Sequence, residues 1–289
     1  MVDLRYHVAS LAAVFIALVI GILVGVGLSS RGSVSNPEKA SLHRIINDQK
    51  DKIGVLNRQV SSLRQQQDAD RGYIDATAPV VMADRLVGER IGLVFIGPIS
   101  GPLRRKISDA LDEAKASPAS PIRSLKAPID PQAIDNLLVG KPAYARFVGD
   151  SKLGDLGRVL GRQLASTGET PLWNLLSDQL VNEKLGRLRQ LDGLVVVRSA
   201  NPQLGATARF LAGFYNGLAN AGFPVVGAEA KDAPFSAIPA FDQAGLSSVD
   251  DVDTASGEVA LVVLLAGGGE AGAHYGIKQG ADQILPPLG

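Results

Sequence analysis

Three histidines, two methionines and no cysteine make up the whole soft-ligand inventory of this 289-residue chain. Without thiols there can be no disulfide, zinc–thiolate site or cysteine nucleophile. His7, His43 and His274 are scattered, so no two of them meet easily within one chain, and copies of His7 or His43 could meet only across an oligomer axis. Asp250, Asp251 and Asp253 form an acidic cluster in SSVDDVD. That pattern suits a calcium or magnesium loop, and equally the start of a helix, where carboxylates offset the macrodipole. Gly267 to Gly272 (GGGEAG) matches the dinucleotide pattern G-x-G-x-x-G. The remainder to Gly289 is too short for a helix, a second strand and a ribose-binding acid about 20 residues on. Arg104-Arg105-Lys106 reads as a solvated helix face. There is no Walker lysine, G-x-S-x-G or H-E-x-x-H, so the sequence predicts neither an enzyme nor a resident cofactor.

The elements that must position these residues begin with an anchor. Val8 to Leu28 carries no charge. At about 1.5 Å per residue this run is about 30 Å long, the thickness of a hydrocarbon core. A signal-peptide apolar region is usually about 7–15 residues, so the prediction is a retained transmembrane helix over 1–30. Ala9, Ala13, Ala17, Gly21 and Gly25 follow one another at steps of four. Small residues on one ridge let two helices approach closely in lipid, where no hydrophobic drive pairs them. The ridge predicts self-association. Arg5 lies before the span and Arg31, Lys39 and Arg44 after it. That count alone places the C-terminal side weakly in the cytoplasm.

A stalk is predicted over 36–72. Asn36 followed by Pro37 is a helix start, a capping side chain before a residue preorganised for the first turn. From there Ile46, Ile53 and Val60 take heptad position a, and Leu42, Gln49, Leu56 and Leu63 take d. β-branched residues at a with leucine at d favour a parallel two-stranded coiled coil, and Gln49 helps to fix register. Packing of this helix on its own globular domain is the alternative.

From Met82 the pattern becomes short apolar runs between helical segments. Ile91–Ile96, Leu194–Val197, Pro224–Val226 and Val259–Leu265 read as strands, with helices near Leu103–Ala114 and Ala206–Asn220. Pro128–Leu191 reads as mainly helical, including a helix that carries Trp173. The fold class is α/β, with a mostly parallel, Rossmann-like sheet covered by helices on both faces over 82–289. Lys plus Arg and Asp plus Glu balance at 29 each, which leaves no footprint for nucleic acid.

Two end motifs carry a family resemblance. The opening Arg5-x-His7-x-x-Ser10-Leu11-Ala12-Ala13-Val14-Phe15-x-Ala17-Leu18-x-x-Gly21-x-x-x-Gly25 resembles that of the actinobacterial copper transport protein MctB family. The closing segment, Ser247 to Asp253, then Gly257, an apolar run and Gly272-x-His274-Tyr275-Gly276, resembles that family's C-terminal end. The resemblance implies a cell-membrane protein, single-pass, with its main domain extracytoplasmic, an outer membrane being the family's other setting. It implies a role in copper transport or efflux, and it overrules the charge count for orientation. His7 and His274 are the matched positions that could bind copper. Cu(I) favours sulfur and Cu(II) favours imidazole, so the inventory for a carrier is poor. A second reading therefore stands beside copper homeostasis by a homo-oligomer: a membrane-tethered scaffold or sensor, set by a dimeric coiled coil, without transport activity.

Overall fold

The structure, a computed structural model, describes residues 4–29, 36–117, 121–166, 170–186, 191–198 and 201–288. It divides into two compact units, Met1–Ala69 and Asp70–Gly289.

The first unit holds helix α1 (Leu4–Ser29) and most of helix α2 (Asn36–Met82). Side chains of α1 are described over 10–26, and all are exposed. At about 1.5 Å per residue that stretch is about 25 Å long, short of an about 30 Å core. Among the described residues no helix is long and apolar enough to cross a membrane. The span read from the sequence, Val8 to Leu28, extends at both ends beyond these described side chains. Helix α2 starts at Asn36, where the Asn-Pro signal places it, and runs on past residue 72 to Met82. Its final turns belong to the second unit, where Ala78 and Met82 are buried.

The second unit is built on a seven-stranded sheet. Its strands are β1 (Ile91–Ile96), β2 (Ile122–Leu125), β3 (Val181–Leu185), β4 (Gly193–Arg198), β5 (Val225–Ala228), β6 (Ser247–Val249) and β7 (His274–Tyr275). Their order is β3-β2-β1-β4-β5-β6-β7. Only β3 runs antiparallel to its neighbour. The winding reverses between β1 and β4, as in doubly wound folds.

Strand alternation sorts the core into two layers. Val94, Ile96, Leu194 and Val196 point to one face, packed by α4 (Pro131–Leu138), α5 (Leu153–Ser166), α6 (Pro171–Leu180), α7 (Gly205–Leu218) and α8 (Ile238–Ala244). Leu93, Phe95, Val195 and Val197 point to the other, packed by α3 (Gly101–Glu113), α9 (Ala255–Leu265) and the end of α2. Helix α6 carries Trp173, whose Nε1 donates to Leu160 O on α5 at 3.0 Å and whose ring meets Phe214 on α7 edge-on.

One predicted strand is corrected. Val259–Leu265 is the body of helix α9, not a strand. The run is apolar all round because the helix is buried all round, so it has no period to distinguish the two states. Thr254 starts the helix, its hydroxyl accepting from Gly257 N at 3.1 Å. The acidic cluster is the loop before that helix, as the helix-start reading expects. The glycine run Gly267–Gly272 consequently follows a helix rather than a strand, which removes the context a dinucleotide site requires.

Helices α5 and α7 touch backbone to backbone. A Cβ on Gly157 would lie 2.1 Å from Phe210 O, one on Gly161 2.2 Å from Phe214 O, and one on Gly213 1.9 Å from Gly154 O. The contacting numbers rise together, so the two helices run parallel.

Candidate functional site

Parallel strands deliver the residues that follow them to one rim of the sheet. Here Glu229 follows β5, Asp250 and Asp251 follow β6, and Gly276 to Lys278 follow β7. The β6–β7 register, Ser248 opposite His274 and Val249 opposite Tyr275, brings the acidic cluster to the histidine.

Asp250 is fully buried, and three donors converge on it. His274 Nε2 lies 2.8 Å from Oδ2, Lys278 N donates to Oδ2 at 3.0 Å, and Ile277 N donates to Oδ1 at 2.9 Å. A carboxylate oxygen accepts, so His274 is assigned Nε2–H toward it, which leaves Nδ1 as the ring nitrogen outside this contact. Gly276 is fixed by the same group: a Cβ there would sit 2.0 Å from Asp250 Oδ1, and its φ of +138° is one L side chains rarely adopt.

Two further buried carboxylates extend the rim. Glu229 accepts Lys278 Nζ at 2.6 Å and Ser236 Oγ at 2.9 Å, and Ala237 N also donates to it. Lys278 Nζ donates as well to Ala230 O at 2.9 Å. Asp251 Oδ2 accepts Thr254 Oγ1 at 2.8 Å and Ser256 Oγ at 3.1 Å, while its Oδ1 is buried with no partner among the described residues. The third member of the cluster, Asp253, turns away to accept Lys231 N at 2.7 Å.

Burial pushes the Asp251 carboxyl above its usual range, against the two hydroxyl donors that pull it down; the neighbouring Asp250 and Asp253 charges push it further up. A raised folded pKa means stability that is fully present below the unfolded value of about 3.9 and is lost as pH rises through the folded value. Asp251→Asn keeps an acceptor for Thr254 and Ser256 and removes the charge. The variant should be the more stable protein at pH 7, with the gain shrinking to nothing below about pH 4. Thermal melts of the two proteins across that range check it; equal pH dependence in both would contradict the assignment.

The rim binds itself more than it offers ligands. Among the described residues no group of three or more His, Asp or Glu could hold a metal ion. Met82 is in the core, so its sulfur is not available, and Met1 lies outside the described residues. What remains for a copper ion here is one imidazole nitrogen and the unpartnered, buried Asp251 Oδ1, and that set does not fit a copper centre.

The other sequence-derived positions all fall in the first unit. His7 is in α1 and Ala9 beside it, their side chains outside the described residues. His43 is exposed on α2. Ala13, Ala17, Gly21 and Gly25 are exposed on α1, with open space around Gly21 and Gly25. Ile46, Ile53, Leu56, Val60 and Leu63 are all exposed on α2, between 43% and 65%. Glu229 and Lys278 escaped the sequence reading because nothing in their spacing, about fifty residues apart, marks them as partners.

No curated protein matches the chain. A family model described as "Copper transport outer membrane protein, MctB" matches residues 1–286. The match runs from the opening motif through the closing one, whose Asp250, His274 and Gly276 meet at the sheet rim. The chain belongs to the MctB family of copper transport outer membrane proteins.

Proposed function

We propose that this chain acts in copper homeostasis as a membrane-anchored homo-oligomer, with its α/β unit extracytoplasmic and with no enzymatic step. Family membership supplies the copper role. The observation that carries the rest is the apolar stripe of α2. Leu42, Ile46, Ile53, Leu56, Val60 and Leu63 lie exposed along a helix whose other positions are mostly polar. Burying a side chain of this kind is worth roughly 1.5–3 kcal/mol, so a partner strand covering the stripe would be held firmly. α1 adds the exposed small-residue ridge and an uncharged run that the sequence extends to Leu28.

Cellular copper, measured by elemental analysis with the gene deleted and then restored, tests this reading. Deletion should raise copper, the intact chain should reverse the rise, and Ile53→Asp should not, because a charge at position a breaks the stalk. Unchanged copper on deletion would remove the copper role. The second reading, a tethered scaffold or sensor without transport, draws support from His274 Nε2 being committed to Asp250. It expects Ile53→Asp to abolish function and His274 substitutions to act only through stability.

A further inference from the structure

An apolar groove of about 480 Å³ opens on the second unit. One wall is the end of α2, with Tyr73, Ile74 and Val80. The other is α9 at Val259 and the C-terminal tail at Ile284 and Leu288. The groove is unfilled in the single chain: Tyr73 is 72% and Val80 76% exposed, and Ile74, Ile284 and Leu288 are exposed too. Of this stretch, helix α2 buries Ala78 and Met82 in its own core, and Val81 packs partly against the same core.

The heptad count says what covers it. Continued from Leu63 by alternate steps of four and three, the register falls on Gln67, Asp70, Ile74, Thr77 and Val81. After two polar layers, positions a, d and a are again Ile74, Thr77 and Val81, and all three line the groove. Tyr73 and Val80 stand at g, beside the seam, where stalk helices normally carry charge. An apolar face this broad belongs to a helix with two partners, its own domain and something else. Since a parallel pair of stalks carries identical layers to the same height, the second occupant arrives in register.

We propose that a second copy of this chain docks in the groove, its Tyr73, Ile74 and Val80 packing between α2 and the α9–tail wall, each copy serving the other by two-fold symmetry. The inference rests on the self-association reading above and extends it from the stalk to the α/β unit. The apolar tail residues Ile284 and Leu288 then have a role: they form the wall that meets the partner.

The absence of cysteine from the sequence makes a clean test. Full-length chains in native membranes carry single substitutions and are treated with a short bis-maleimide. Ile53→Cys reports the stalk. Tyr73→Cys on one tagged copy and Ile284→Cys on a differently tagged copy, expressed together, report the groove between chains rather than within one. The expected result is a dimer from Ile53→Cys and a mixed-tag dimer of comparable yield from the second pair. A dimer from Ile53→Cys with no mixed-tag product leaves the stalk standing and overturns the groove proposal. That outcome covers a groove filled by lipid or by another protein. No product from either overturns both.

Discussion

Gly213→Ala is expected to lower the urea midpoint of the α/β unit by about 0.3–3 M. In most helices the same change stabilises by roughly 0.5–1 kcal/mol, because glycine loses more backbone freedom on folding. Here the added methyl would lie 1.9 Å from the Gly154 carbonyl oxygen and 2.9 Å from its Cα. Neither atom is the end of a side chain that can swing away, so α5 and α7 must separate. Overpacking typically costs about 1–3 kcal/mol and more where backbone must move, and a urea slope of about 1–3 kcal/mol per molar converts that loss to the stated shift. Gly157→Ala meets Phe210 O at 2.1 Å and should behave alike. Gly54→Ala on α2 is the control: its Cβ would meet only the far end of Arg58 at 3.8 Å, and it should leave the midpoint unchanged or raised. The readout is built in. Trp173 is the single tryptophan, bonded to α5 and ringed against α7, so its emission follows the separation of these two helices. A Gly213→Ala protein with an unshifted midpoint would mean that the helices stand farther apart than described.

These glycines show where the sequence was legible and where it was not. Gly157-x-x-x-Gly161 and Gly213-x-x-x-Gly217 have the same spacing as Gly21-x-x-x-Gly25, yet the sequence reading takes that spacing as a helix contact only in the anchor, where apolar surroundings make it conspicuous, and passes over the pair that does meet. β1 and β4 stood out as short apolar runs, and α7 as a helical segment. β6 and β7, with three residues and two, carry too little pattern to be seen alone and exist because β5 offers an edge. β3 is a polar edge strand, Val-Asn-Glu-Lys-Leu, whose charges suit an exposed edge and hide its extended state. α9 misled because complete burial erases amphipathic period. For the rim, every residue type was visible, and the family motif already held Asp250 with His274. Their meeting depended on the β6–β7 register, which is a property of the sheet and of no local segment.

Asp250→Ala should be the most damaging change at that rim, costing about 3–5 kcal/mol. It deletes an anion that sits at zero exposure and leaves Ile277 N, Lys278 N and His274 Nε2 facing a void. Each orphaned buried donor carries a penalty of roughly 1–3 kcal/mol. Asp250→Asn should cost less, because an amide oxygen at the Oδ2 position still accepts from Lys278 N and His274 Nε2, and only Ile277 N is left facing the amide N–H. His274→Ala falls between them: Asp250 keeps two backbone donors but loses its third partner and gains a cavity. The series, measured by urea unfolding in metal-free buffer, separates two roles for His274. If the residue closes the sheet edge, His274→Ala destabilises without any copper present, and cellular copper control fails only as far as protein level falls. If it serves as a copper ligand alone, metal-free stability is unchanged while copper control is lost at normal protein level. The 2.8 Å contact with a buried carboxylate predicts the first pattern. Carboxylate–imidazole pairing also orients histidines that bind metals, so full stability in metal-free buffer would return His274 to the list of ligands and make Asp250 its positioning residue.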